Sequence, residues 1–156
     1  PKTPRRQRQM CIRDSMEFIE GRDLAQLIYE DGPMRWKDAL RVVLQVADAI
    51  DYAHSEGVIH RDIKPHNMIL TPDEEGEGVG HTKVLDLGIA RIDSVLGGGD
   101  GKTQATMTNT GTIVGTVDYM SPEQALNSRH ADARADVYSL GCTLYFLSTG
   151  KTLHPG

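Results

Sequence analysis

Residues 60 to 67 read His60-Arg61-Asp62-Ile63-Lys64-Pro65-His66-Asn67, and nineteen residues after Asn67 comes Asp86-Leu87-Gly88. Short apolar runs bracket both motifs: Val58-Ile59, Met68 to Leu70 and Lys83 to Leu85. Runs of this length and composition predict small strands, so the polar motifs are expected on loops held by rigid elements. Two carboxylates and a carboxamide at these spacings supply what phosphoryl transfer from a magnesium nucleotide requires. One carboxylate serves the incoming hydroxyl, and the remaining groups offer hard oxygen ligands to the metal.

Around this centre the pattern turns helical. Leu40, Val43, Leu44, Ala47 and Ile50 recur at helical spacing and predict a helix from about Trp36 to Ser55 that buries that face. Gly57 is placed to stop it. Met16 to Gly21 reads as the end of a strand and a linker, and Asp23 to Tyr29 as a short helix. A further helix contains Asp136, Val137, Leu140, Leu144 and Leu147. Thr71 to Thr82, with four acidic residues and three glycines, reads as a solvated turn between two strands.

Length fits one domain, and an apolar content of 38% is ordinary for a globular chain. Cys11 and Cys142 show neither disulfide nor metal spacing, and no apolar run reaches the roughly 20 residues a membrane helix needs. A reduced, cytoplasmic setting is therefore expected, with no membrane segment in this piece. The net charge is −5, and the first fifteen residues, with five Lys or Arg against one Asp, hold a balance of +4 that leaves the rest at −9. Nothing in that distribution points to nucleic acid. Residues 1–15 have no apolar period, and Arg5 to Asp14 agree codon by codon with a translated transposase-type sequencing adapter. The expectation is an adapter translation, with a disordered basic arm as the alternative, and a genuine chain from about Met16.

From Met16 to Gly156 five signatures occur in order: MEFIEG, HRDIKPHN, KVLDLGIA, GTVDYMSPEQ and ADVYSLG. Through them the chain resembles a eukaryotic-type (Hanks-type) serine/threonine protein kinase of the sort common in bacteria. The resemblance implies an α+β protein-kinase-like fold: a partial domain over 16–156, running from the hinge through a mostly helical C-lobe with short strands around the catalytic loop. It also implies that the N-lobe is absent, since no glycine-rich loop or strand lysine precedes Met16, and that the last helices lie beyond Gly156.

Site roles follow from the same resemblance. Asp62 matches the catalytic aspartate that accepts or orients the hydroxyl proton, and Lys64 sets an ammonium near the transferring phosphate, as Ser/Thr kinases do. Asn67 and Asp86 match the magnesium ligands, and Thr116 a threonine that bonds near the catalytic aspartate and lysine. ATP would meet backbone groups near Glu17 and Ile19, with Met16 as gatekeeper, Ile69 under the adenine and Asp23 near the ribose. A helix-start aspartate is explained equally well by the helix dipole. Asp136 should accept backbone N–H groups at His60 and Arg61. Glu123, in SPE where APE is commoner, ordinarily pairs with an arginine that lies past this chain's end. Leu87 replaces the usual Phe before Gly88, an apolar exchange that keeps a packing side chain.

Arg61 directly before Asp62 implies control by phosphorylation of the segment between Asp86 and Glu123, with Thr110 or Thr112 as the modified residue and Thr108 behind them. The expected partners are proteins with Ser/Thr sites, autophosphorylation in trans included, and the expected cofactors are ATP and Mg2+. Two other readings stand beside this one: a pseudokinase acting as a binding or scaffold module, and a truncated gene product with no function of its own. On the leading reading the fragment alone is expected to be inactive.

Overall fold

The computed structural model describes residues 18–73, 76, 78–85, 117–127 and 131–154. The elements run β1 (Arg22–Asp23), α1 (Leu24–Asp31), α2 (Trp36–Ser55), a 3-10 turn (Pro65–Asn67), β2 (Met68–Leu70), β3 (Thr82–Val84), α3 (Pro122–Asn127) and α4 (Ala133–Thr149). The three strands form one antiparallel sheet in the order β1-β2-β3, with Asp23 opposite Ile69 and Ile69 opposite Lys83.

Asp23 stands one residue before α1 and caps it. Its Oδ1 accepts the Ala25 N–H at 2.7 Å and the Gln26 N–H at 3.1 Å, satisfying two donors that the helix itself cannot. The helix thus begins at Leu24, one residue later than expected, and continues to Asp31.

The bounds of α2 agree with the sequence pattern, but its buried stripe does not. Ala39, Val42, Val46 and Ile50 are buried, whereas Leu40 is 39% and Leu44 55% exposed, and Val43 and Ala47 are half-buried. Apolar residues cover more than half of this helix's circumference, so periodicity fixes that a stripe exists and leaves its phase open. Packing against α4 selects the face with the small Ala39 and the branched valines.

α2 ends in a Schellman closure: the Val58 N–H donates to Ala53 O at 2.9 Å and the Gly57 N–H to His54 O at 3.0 Å, with Gly57 at φ +76°. Val58-Ile59, expected as a strand, is instead a loop, because Val58 is consumed in closing the helix. The expected strand at Lys83 to Leu85 lies one residue earlier, at Thr82–Val84. Leu85 has left the sheet, and its N–H donates to Asn67 O at 2.8 Å.

α4 is the axis of the packing. Leu140, Phe146 and Leu147 are buried, and so are the polar Asp136, Ser139 and Thr143, while Val137 is 63% exposed and Leu144 half-buried. The polar members are all bonded. Ser139 Oγ donates to Tyr119 O at 2.7 Å, and Thr143 Oγ1 to Ser139 O at 2.9 Å. Phe146 meets the rings of Tyr29 and Tyr119 edge-on, at centroid distances of 5.6 and 6.2 Å. The same helix face therefore carries the apolar core at one end and a buried carboxylate, Asp136, at the other.

Candidate active site

The loop from His60 to Asn67 leaves the end of α2 and enters β2 through the 3-10 turn, so both of its ends are anchored in regular structure. Asp136 reaches it from α4. Oδ2 accepts the His60 N–H at 2.9 Å and Oδ1 the Arg61 N–H at 2.7 Å, and the His54 ring Nε2 lies 2.8 Å from Oδ2. Arg61 sits at φ +64°, a left-handed conformation that costs a residue with a Cβ about 1–2 kcal/mol. The paired carboxylate bonds on its own N–H and its neighbour's hold it there.

His60 links the loop to the end of β3. Its Nδ1 accepts the Asp62 N–H at 3.3 Å and its Nε2 faces Leu85 O at 3.1 Å. An acceptor at Nδ1 and a carbonyl opposite Nε2 assign the neutral tautomer with the proton on Nε2.

Asp62 is the focus of the remaining polar groups. Lys64 Nζ lies 3.0 Å from Asp62 Oδ2, and Asn67 Nδ2 donates both to Asp62 O at 2.8 Å and to Asp62 Oδ2 at 3.0 Å. Asn67 commits its amide nitrogen to Asp62, so its carboxamide oxygen is the atom left for a hard cation. Arg61 donates through Nη2 to Ala131 O at 3.4 Å, while its buried Nε has no hydrogen-bond partner among the described residues.

Ser121 and Gln124 open α3 as a reciprocal cap, with the Gln124 N–H donating to Ser121 Oγ at 3.3 Å and the Ser121 N–H to Gln124 Oε1 at 3.2 Å. Gln124 Nε2 also donates to Arg61 O at 2.9 Å. Tyr119, just before this cap, is buried, and burial pushes its phenol above the ordinary range. Glu123 is exposed on α3.

Asp62, Lys64 and Asn67 are thus brought together, with His60, Arg61 and Asp136 as their support. Asp23 and Ile69 meet as sheet neighbours. Ile19 lines a cavity of about 600 Å³ between α2 and β3, whose walls include Ile50, Tyr52, Val58 and Val84 but not Asp62, Asn67 or Ile69. Met16, Glu17, Asp86, Leu87, Gly88, Thr108, Thr110, Thr112 and Thr116 lie outside the described residues. Sequence reasoning missed His54 and Gln124. The spacing of Ser121 and Gln124 is a capping-box signature that could have found the second; only the tertiary contact reveals the first.

Residues 5–156 match the protein kinase domain family. The chain belongs to the protein kinase family. Among similar kinases, a probable serine/threonine-protein kinase of Corynebacterium efficiens is 43% identical over 136 residues, covering 87% of this chain and 18% of that protein. The serine/threonine-protein kinase PknB of Mycobacterium tuberculosis is 39% identical, covering 87% and 20%. The chain spans about a fifth of the length of the curated relatives it matches. A solved kinase structure, Rad53 1-466 in complex with AMP-PNP, aligns at a TM-score of 0.65 and 28% identity, covering 90% of this chain and 30% of the other. The α+β architecture expected from the sequence, mostly helical with a few short strands, is the one this chain has. Among its described residues no helix is long and apolar enough to cross a membrane.

Proposed function

We propose that this chain carries the catalytic-loop portion of a serine/threonine protein kinase that moves the γ-phosphoryl group of ATP to Ser or Thr hydroxyls of proteins, itself included when it phosphorylates in trans. The observation behind this reading is the convergence of Lys64 Nζ and Asn67 Nδ2 on one carboxylate oxygen of Asp62, each at 3.0 Å. A carboxylate held by two donors on a loop anchored at both ends is preorganised, and positioning is most of what phosphoryl transfer asks of a protein.

In this reading the substrate hydroxyl oxygen attacks the γ-phosphorus as the bond to the β-bridging oxygen breaks, and the hydroxyl proton passes to the Asp62 carboxylate. The Lys64 ammonium stands beside that carboxylate and offsets charge on the phosphoryl oxygens in flight. Asn67, through its carboxamide oxygen, and Asp86, through its carboxylate, would hold the magnesium ion; Thr116 would bond near Asp62 and Lys64. When bound, the metal neutralises phosphate charge. For the nucleotide, Met16, Glu17, Ile19, Asp23 and Ile69 remain the proposed contacts. Glu123 would pair with an arginine elsewhere in the full protein. A cytoplasmic catalytic domain accords with the use of ATP.

Phosphorylation at Thr110 or Thr112 would give an anionic partner to the Arg61 guanidinium, whose buried Nε has no hydrogen-bond partner among the described residues. Phosphopeptide mapping of the active enzyme tests this: a fully active protein with both threonines unmodified overturns it.

The central test is transfer of radiolabelled γ-phosphate by the protein expressed from its full reading frame. Asp62→Asn and Asp86→Asn should each lower turnover by about a hundredfold or more. Turnover equal to wild type in either variant overturns the assigned role.

A further inference from the structure

We propose that Gln124 is a positioning residue for the catalytic aspartate, acting through the peptide bond that joins Arg61 to Asp62. The proposal deepens the kinase reading above, and one arm of its test is independent of that reading.

A peptide unit has two hydrogen-bonding ends, and both ends of this one are held. Its oxygen, Arg61 O, accepts from Gln124 Nε2 at 2.9 Å, and its nitrogen, Asp62 N, donates to His60 Nδ1 at 3.3 Å. Because the unit is planar, fixing the oxygen fixes the direction of the N–H and of the Asp62 Cα that follows. The longer bond on the nitrogen side leaves the glutamine as the tighter hold. That hold matters at this peptide in particular, because Arg61 is in the left-handed region at φ +64° and would relax to an ordinary conformation if released. Such a relaxation rotates the Arg61 carbonyl and carries the Asp62 carboxylate with it.

Gln124 is built for the task rather than for capping alone. The residue is 6% exposed, and each end of its amide has a separate partner sixty-three and three residues away: Nε2 on Arg61 O and Oε1 on the Ser121 N–H. A cap needs only the second bond. Exchanging the amide for a carboxylate keeps the acceptor for Ser121 and removes the donor to Arg61, leaving two oxygens face to face. Ser121 makes the converse separation possible, since removing its hydroxyl takes away a cap bond and leaves the bridge to Arg61 in place.

The experiment compares Gln124→Glu, Gln124→Met and Ser121→Ala in the protein expressed from its full reading frame. In the first arm, amide hydrogen exchange is read residue by residue. The Asp62 amide should exchange about tenfold faster in both Gln124 variants, while amides of α4 such as that of Leu140 keep their protection and Ser121→Ala leaves Asp62 unchanged. In the second arm, kcat for peptide phosphorylation should fall by about ten- to a hundredfold in the Gln124 variants with the KM for ATP within about twofold, and Ser121→Ala should stay within about threefold of wild type. Unaltered exchange at Asp62 in Gln124→Glu overturns the proposal, as does a loss of protection as large in α4 as at Asp62, or a Ser121→Ala defect equal to that of Gln124→Glu. Should the protein transfer no phosphate at all, the kinase reading fails and the exchange arm still decides the role of Gln124.

Discussion

Asp136 Oδ1 accepts the Arg61 N–H at 2.7 Å across seventy-five residues of sequence, and the other oxygen of the same carboxylate accepts the His60 N–H at 2.9 Å. An ionised carboxylate can take both bonds at once, whereas a carboxamide has one acceptor oxygen and must turn an N–H group towards one of the two amides. Asp136→Asn is therefore expected to destabilise the fold by about 3 kcal/mol, read as a shift in the urea midpoint. Part of that cost is the left-handed backbone of Arg61. An Arg61→Gly background, which adopts that conformation freely, should shrink the Asp136→Asn penalty in a double-mutant cycle. Strict additivity would show that the carboxylate and the strained residue are not coupled.

Asp23 has two candidate jobs, and they separate by substitution. Its Oδ1 caps α1, so Asp23→Ala should cost about 1 kcal/mol in stability, while Asp23→Asn, an equally good cap, should cost a few tenths at most. If the carboxylate also meets the ribose, Asp23→Asn should raise the KM for ATP without lowering stability. An unchanged KM would confine Asp23 to capping.

Phe146 is 1% exposed and stands edge-on to Tyr29 and Tyr119, which lie ninety positions apart in the chain. Phe146→Ala should cost about 3–5 kcal/mol by thermal or urea unfolding, and Phe146→Leu distinctly less, because leucine refills most of the volume. A loss under about 1 kcal/mol for the alanine variant would mean that this aromatic cluster is not the core of the packing.

Burial pushes the Cys142 thiol above its ordinary range, and burial does the same to the Tyr119 phenol. Both groups are acids that are neutral in the folded state, so the folded chain holds its protons longer than the unfolded one does. By linkage their contribution to stability is intact below the unfolded values and is lost as pH rises above them, from about pH 8.5 for the thiol and about pH 10 for the phenol. Stability measured between pH 7 and pH 11 should be level at first and then fall. In Cys142→Ala the fall should begin later, near the tyrosine's range. A curve for Cys142→Ala that overlays wild type would exclude the thiol from this dependence.

Much of the loop from His60 to Asn67 could be read directly from the chain. The order of Asp62, Lys64 and Asn67 within eight consecutive residues fixes their proximity, because a tight loop and a 3-10 turn leave them nowhere else to go. Helix ends were equally legible where a local group decides them, as with the Asp23 cap and the Gly57 closure. The buried face of α2 was not, since Leu40 and Leu44 satisfy the helical period as well as Val42 and Val46 do, and the neighbour that chooses between them lies about a hundred residues further on. Val58-Ile59 looked like a strand for a related reason: apolar, branched residues suit a strand, but the closing bonds of α2 claim the backbone first.

The sequence alone thus determined which reactive groups occupy the loop and in what order, because those are covalent facts and local backbone rules act on them over a few residues. The resemblance implied the hold of Asp136 on that loop, and only the tertiary structure added His54 and Gln124 to it. His54, Gln124 and Asp136 come from α2, α3 and α4 to bond single backbone atoms of Arg61 or the partner that holds them. Such contacts join residues sixty-three to eighty-two positions apart, and hydrogen bonds depend on distances and angles in space that no local pattern along the chain encodes.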